Sequence, residues 1–508
     1  MKRLNEIKRM LEEYTGRDLS PWHMPGHKRK PVFPGFWEEL FRRDVTEVPG
    51  TDDLHHASGA IQRSQEEAAE AYGAAFSHYL VGGSTAGILA SIGAATELWR
   101  ENRETGETPT FLVAANCHKS VWNGLRLVGA KIIQVMPAED PVYGPVLTDD
   151  LLRVLSEEVE DSEQVAGCIL TSPTYAGVIS PLGELHAVLE VYGIPMIVDE
   201  AHGAHLPFCG EPELESGVGC GAEYVIQSLH KTLPALTQTA ILHVNGDEET
   251  DEVVTEQLAV FESSSPSYIL MLSAEQAVAW ADGHREEFIN YPDRMREFRE
   301  ALSRELKHLE PVSLPGNQDP SRLMLQAAGT TEIPGESPSL LTGTGMAAWL
   351  EQETGIVAEL AGSRELILLS SVCDEEEDLQ RLKDALLRLD REIGKAKRKR
   401  SGRKGRKNDR TDRQVIRQES REVQEIQEAQ EDPEIQETSA SEDDPTEVLK
   451  GPGPVERAPL LRVGDFVQRD IYVYPPGVPI LRSGERVTES ALKRLEEERA
   501  AGRRIYGL

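Results

Sequence analysis

From residue 79 to residue 245 the chain alternates short apolar runs with amphipathic helical patterns, and this alternation limits the fold more than any other feature. The runs lie at 79–81, 110–114, 131–136, 165–171, 194–198, 224–227 and 239–244, and helical spacing fills 85–102, 119–128, 148–158 and 181–192. A run such as Ile194-Pro195-Met196-Ile197-Val198 is apolar throughout rather than at every second position, as expected of a strand covered on both faces. Strands joined through helices return to the same edge and run parallel. The pattern therefore predicts an α/β fold with a mostly parallel sheet and helices on both faces. Such sheets bind ligands beyond the C-terminal ends of their strands.

The residues at those ends carry the chemistry. Asp199-Glu200-Ala201-His202 closes one run, and Ser228-Leu229-His230-Lys231 follows another about thirty residues on. Asp-Glu-Ala-His also spells the acidic box of nucleotide-driven helicases, but the G-x-x-x-x-G-K-[ST] phosphate loop which that reading requires is absent from the sequence. A buried acid facing a nucleophilic amine suits a cofactor whose ring nitrogen must stay protonated and whose aldehyde must be held, namely pyridoxal phosphate. Upstream, Gly82-Gly83-Ser84-Thr85-Ala86-Gly87 joins a short strand to a helix, bringing free N–H groups, two hydroxyls and a positive helix end to one point, as a phosphate requires. His118, in Asn116-Cys117-His118-Lys119-Ser120, stands at another strand end, where it can stack on the cofactor ring or serve as an ordinary loop histidine.

With 54 Lys+Arg against 87 Asp+Glu, the formal charge of −33 argues against nucleic acid or an anionic membrane as a partner of the folded part. No apolar run approaches membrane-spanning length and the start lacks a signal-peptide core, so a cytoplasmic protein is expected. The five cysteines form no C-x-x-C pair and His23/His27 lack further ligands, so no metal site is expected.

Outside the alternating region, Leu4, Ile7, Leu11 and Tyr14 predict an amphipathic helix over 2–15, and 64–77 has a helical pattern. Pro25-Gly26-His27-Lys28 and the loop through Asp52, Asp53, His55 and His56 are rich in groups that titrate or bind anions. A hydroxyl-rich loop, Ser263-Ser264-Ser265, precedes a long helical stretch at 273–309. Residues 310–392 read as a smaller α/β unit, with strands near 322–327 and 366–371 and helices at 342–354 and 375–394. From Lys395 a basic run and then an acidic, Gln-rich tract carry too few apolar residues to offset their ordering entropy, which predicts a disordered or partly helical tether. The C-terminal stretch after Pro454, with a Pro-rich bend at 474–481 and a helix at 488–500, is too small for a core of its own and should dock on the main body.

Taken together, these segments resemble the fold-type-I pyridoxal phosphate decarboxylases of ornithine, lysine and arginine, and most nearly the shorter bacterial arginine decarboxylase type. The resemblance rests on PGHK (25–28), TEVPGTDDLHH (46–56), GGSTAG (82–87), NCHKS (116–120), SPTYAG (172–177), VDEAHG (198–203), SLHKTLPALTQ (228–238), SPSYILM (265–271) and YPPGVPIL (474–481), in that order. It implies an aspartate-aminotransferase-like large domain with its N-terminal segment (1–280), a small α/β domain (281–394), a charged linker (395–452) and a C-terminal domain (453–508). It also implies a homodimer or larger homo-oligomer with shared active sites. By resemblance Lys231 holds the cofactor aldehyde, Asp199 pairs with the ring nitrogen and His118 stacks on the ring. Ser84, Thr85, Ser228 and His230 hold the phosphate or its surroundings, His202 lies beside the ring oxygen, Thr174 belongs to the same shell, and Ser264 reaches a neighbour's phosphate. Lys231 or His230 returns the proton to the substrate. The expected substrate is a basic amino acid, arginine before lysine or ornithine, whose cationic end would be read by Asp52, Asp53, Glu359 or Glu485. Three departures from the family pattern stand out: the long charged linker, Ala176, and Ser483 before Gly484-Glu485.

Overall fold

The computed structural model describes residues 4–17, 36–329, 339–418 and 461–507, apart from positions 102, 104–105, 139, 468, 474–478, 483, 501–502 and 504. The Pro25–Lys28 loop, the bend at 474–478, Ser483 and the acidic part of the tether lie outside the described residues.

The main sheet has seven strands: β1 (Phe76–Leu80), β2 (Thr110–Ala114), β3 (Lys131–Val135), β4 (Val165–Thr171), β5 (Met196–Asp199), β6 (Tyr224–Gln227) and β7 (Ala240–Val244), in the order β1-β7-β6-β5-β4-β2-β3. The pairs β2/β3, β2/β4, β4/β5 and β5/β6 are parallel, whereas β7 is antiparallel to both β6 and β1. Two reversals restore direction, so β1 points the same way as β6 and its C-terminal end reaches the same edge as Asp199. The centre strands β2, β5 and β6 are buried at every residue, which is why they read as unbroken apolar runs.

Helix α1 (Glu6–Thr15) lays Ile7, Met10, Leu11 and Tyr14 against α2 (Ala60–Tyr72). Its first turn is held by the buried Glu275, whose carboxylate accepts the Ile7 N–H at 2.7 Å and the Lys8 N–H at 3.1 Å. The helical pattern expected over 64–77 gives way after Tyr72 to a left-handed Gly73 (φ +79°) and then to β1. Helix α3 (Ser84–Glu101) follows the glycine turn and packs on the sheet through Gly87, where a Cβ would lie 2.6 Å from the Leu80 side chain and 3.1 Å from Ile226. That close approach brings the α3 N-terminus to the strand edge. After α4 (Lys119–Val128), two further helices, α5 (Tyr268–Gly283) and α6 (Arg285–Glu305), replace the single helical stretch expected over 273–309; the break falls at His284.

The second sheet is antiparallel, β10-β11-β9-β8, made of β8 (Leu309–Pro311), β9 (Arg322–Ala327), β10 (Leu360–Ala361) and β11 (Glu365–Leu369). Helix α7 (Gly343–Thr354) and the long α8 (Glu376–Gln418) accompany it. Thus α8 extends well past residue 394, into the basic run expected to be tether. The C-terminal sheet, β12 (Ile471–Val473), β13 (Pro479–Leu481) and β14 (Ile505–Tyr506), packs with helix α9 (Glu489–Ala500) around Val467, Ile471, Leu481, Val487, Ala491 and Leu495. This unit therefore does bury a small apolar cluster, contrary to the sequence expectation. It also docks, because the Arg482 guanidinium lies 4.7 Å above the Trp122 ring and the Lys119 amine 5.5 Å from the Tyr472 ring, both on α4.

The main and second sheets meet at a buried contact, His205 Nε2 to Asp319 Oδ1 at 3.3 Å. Burial alone would push the Asp319 carboxyl up, but His205, Arg322 and the Ser321 hydroxyl outweigh it and hold the carboxyl well below its usual range. A carboxyl depressed on folding adds stability above its unfolded pKa, and that stability is lost as pH falls through the folded value. Asp319→Asn is therefore expected to destabilise the protein by about 3–5 kcal/mol near neutrality. The deficit should shrink as pH drops below about 4, measured by urea unfolding across pH.

Candidate active site

Asp199 and Lys231 both lie at the C-terminal edge of the main sheet: Asp199 ends β5, and Lys231 sits in the short helix Leu229–Thr232 directly after β6. Asp199 is buried and accepts the Ala201 N–H at 3.2 Å. Burial raises its pKa, against the opposing pull of the Lys231 charge and the Ala201 N–H. The site thus presents an acid that lacks enough positive charge to stay comfortably ionised. Lys231 is brought down to about 8, mainly by desolvation, with Asp199 opposing and Arg322 reinforcing the shift. At pH 7 about a tenth of such an amine is neutral, against about 0.04% for an ordinary lysine.

Three histidines surround the amine. His202 Nε2 is 3.0 Å from Lys231 Nζ, and burial with the charges of Lys231 and Arg322 pushes its pKa well below the usual value. His118 caps α4, its Nδ1 accepting the Ser120 N–H at 3.3 Å and lying 2.8 Å from the Ser120 hydroxyl. Desolvation and the neighbouring lysines lower its pKa to about 4, so its ring is neutral at physiological pH. His230 Nδ1 lies 2.9 Å from the Thr239 carbonyl; only a donor can meet a carbonyl, so Nδ1 carries the proton and Nε2 the lone pair.

The glycine turn reaches the same edge. Ser228 Oγ donates to Ser84 Oγ at 3.0 Å, tying the loop after β6 to the first residue of α3, and Thr85 follows in its first turn. Gly83 has φ +76°, and a side chain at Gly82 would meet Ala86 Cβ at 3.0 Å and the Glu262 carboxylate at 3.1 Å. Gln238, itself at φ +87°, donates to the Val81 carbonyl and closes the other side.

Not every expected residue joins this cluster. The Thr174 hydroxyl donates to the Tyr143 carbonyl at 2.9 Å and is buried there. Ser264 is exposed within the loop after Glu262. Of the four carboxylates weighed for the substrate's cationic end, Asp52 accepts four N–H groups, from Asp53 (3.1 Å), Ser58 (3.1 Å), Gly59 (2.9 Å) and Ile61 (2.8 Å). Asp53 caps the turn at His55 and faces His56. Glu485 is engaged by the Arg482 guanidinium and N–H. Glu359 differs: it accepts the Tyr175 hydroxyl at 2.7 Å, and its charge acts on Lys231. The Tyr175 ring in turn meets the His202 ring edge-on at 5.0 Å.

The sequence reading missed Arg322 altogether. This buried residue opens β9 in the second sheet and reaches His202 Nδ1 with one guanidinium nitrogen. Its signal was a cation leading the apolar run Leu323-Met324-Leu325, in a stretch whose composition is otherwise ordinary.

These groups fit pyridoxal phosphate. A partly neutral amine can take its aldehyde, and a buried acid raised by burial gains from a pyridinium charge. A helix N-terminus with two linked hydroxyls and a glycine turn admits a phosphate.

Comparison with known proteins agrees with this geometry. Residues 7–318 match the family model described as Orn/Lys/Arg decarboxylase, major domain. An uncharacterized Bacillus subtilis protein, YaaO, is 40% identical over 282 residues, a match that spans 54% of this chain and only 56% of that protein. A Bacillus anthracis arginine decarboxylase is 27% identical over 516 residues, covering 98% of this chain and 93% of the relative. Among solved structures, the Escherichia coli constitutive lysine decarboxylase superposes with a TM-score of 0.66 at 18% identity, covering 99% of this chain and 79% of that one, and so shares the fold. Because the family model spans more than half of the chain, and includes both the strand-end acid and the amine that faces it, this protein belongs to the Orn/Lys/Arg decarboxylase family.

Proposed function

We propose that the protein removes CO₂ from the α-carbon of a basic amino acid, arginine first and lysine or ornithine next, and releases the corresponding amine. The observation that carries this reading is the pairing of Lys231 with Asp199 at the ends of neighbouring parallel strands, each perturbing the other's ionisation. When bound, pyridoxal phosphate supplies the electron sink for the pair left behind as CO₂ departs. The protein's residues do the rest. Lys231 would hold the cofactor's aldehyde through its amine. Asp199 would pair its carboxylate with the ring nitrogen. His118 offers a neutral aromatic face, and His202 a donor beside the ring oxygen. Ser84, Thr85 and Ser228, with the α3 N-terminus, receive the phosphate. Lys231 returns a proton to the α-carbon, or His230 does so once its Nε2 lone pair has taken up a proton from solvent. Thr174 acts through the loop at Tyr143, and Ser264, which is exposed, meets a second copy of the chain in a homodimer or larger assembly.

Glu359 takes the cationic end, since the other three acids are spent on backbone, histidine or arginine partners. Glu359→Gln is expected to raise KM for arginine about 10–100-fold, the worth of one charge-assisted hydrogen bond, with a smaller change in kcat. The direct test incubates the protein and cofactor separately with arginine, lysine and ornithine and identifies the product. Release of CO₂ with agmatine, cadaverine or putrescine supports the reading. A keto acid without CO₂ would replace it with aminotransfer.

A further inference from the structure

We infer that Arg322, reaching in from the second sheet, is a positioning residue that fixes the tautomer of His202 and thereby favours the neutral form of the Lys231 amine. The argument is one of donors and acceptors. A guanidinium is always protonated and can only donate. One of its nitrogens lies against His202 Nδ1, so Nδ1 must be the acceptor. The single proton of a neutral imidazole then sits on Nε2. Nε2–H can only donate, and the atom 3.0 Å from it is Lys231 Nζ. To accept, that nitrogen needs a lone pair, which an ammonium lacks.

The alternative is a doubly protonated His202. It would set Nδ1–H against a guanidinium N–H and place a third positive charge beside Lys231 and Arg322 in a buried site, and the imidazole's lowered pKa opposes it. The placement of Arg322 is itself built. Gly177, at φ +86°, would carry a Cβ only 2.4 Å from Arg322 Cγ, so glycine there lets the loop after β4 lie across the arginine stem. Asp319 adds its charge from three residues upstream, and the remaining terminal nitrogen of Arg322 is buried with no protein partner among the described residues. Facing Lys231 from the packed elements are Asp199 and Glu359, which favour its charged form, Arg322, which opposes it, and His118, His202 and His230. Removing Arg322 therefore frees the His202 ring to turn acceptor at Nε2 and strips away a charge that disfavours the ammonium. Both effects raise the Lys231 pKa.

The test uses the full-length protein without added cofactor, labelled with ¹⁵N-histidine, with the His202 signals assigned by their loss in His202→Gln. The expected spectrum has an unprotonated Nδ1 and a protonated Nε2; a proton on Nδ1 overturns the proposal whether or not any variant folds. Next, the rate at which pyridoxal phosphate is captured, followed by absorbance, is measured against pH. Arg322→Ala should shift that profile upward by a pH unit or more, about tenfold slower capture at pH 7, and Arg322→Lys should recover part of the shift. A folded Arg322→Ala protein with an unchanged profile, even if its KM for substrate rises, overturns the proposal, since Arg322 would then act only on a bound anion. The capture experiment rests on Lys231 being the reacting amine. Persistence of capture in Lys231→Ala would refute that reading separately and leave the tautomer measurement to decide this one.

Discussion

Replacing Lys231 by alanine is expected to abolish covalent attachment of pyridoxal phosphate and to lower the rate of CO₂ release by about 10³-fold or more. The size follows from how many tasks one nitrogen performs. Its pKa of about 8 leaves it partly neutral near pH 7, and it stands 3.0 Å from the His202 ring. No other lysine among the described residues shares that setting: the nearest in sequence to a site residue, Lys119, directs its amine toward the Tyr472 ring instead. Cofactor in the variant should leave on gel filtration, and intact-mass spectra after borohydride treatment should show no added phosphopyridoxyl group, whereas the unsubstituted protein retains one. Because Lys231 is only partly buried and its own charge is disfavoured by desolvation, the substitution should not lower thermal stability. A variant that still carries the reduced adduct would mean that another amine does this work, and the site as described would be wrong.

The legible part of this molecule and the illegible part divide along a physical line. Strands of a doubly covered sheet must be apolar at every position, so β2, β5 and β6 announce themselves, and a polar residue that ends such a run marks the ligand edge. Asp199 and Lys231 were found that way. What a one-dimensional reading lacks is the occupancy of each side chain. Asp52, Asp53, Glu359 and Glu485 are equivalent on paper. Three are consumed by local hydrogen bonds that depend on how a loop turns, as when Asp52 gathers three N–H groups at the start of α2. Arg322 was hidden for a different reason: it sits 120 residues from His202 in sequence, and its contact exists only because the second sheet folds back onto the first. The direction of β7 was also invisible, since an apolar run says nothing about which way a strand points.

Asp199→Asn should separate two properties that Lys231→Ala removes together. Attachment of the cofactor requires an amine and an aldehyde, and neither involves the 199 side chain; the adduct should therefore survive. Turnover should not. The departing pair of electrons is accepted only to the extent that the ring nitrogen carries a proton, and a buried carboxylate directly raises that nitrogen's pKa, whereas an amide offers no charge. Loss of a buried opposite charge is worth about 3–5 kcal/mol, which converts to a fall in kcat of about 10²–10⁴-fold. Stability should move the other way. Burial raises the Asp199 pKa without cofactor, so between the unfolded and folded values the native state binds the extra proton and loses stability as pH rises. The cofactor-free Asn variant is spared that cost at pH 7 and should melt at the same temperature or higher, while gaining less than the unsubstituted protein when pyridoxal phosphate is added. Calorimetry with and without cofactor, alongside the rate of CO₂ release, measures all three quantities. Equal cofactor-induced stabilisation in both proteins would show that Asp199 does not face the ring nitrogen, whatever the loss of rate.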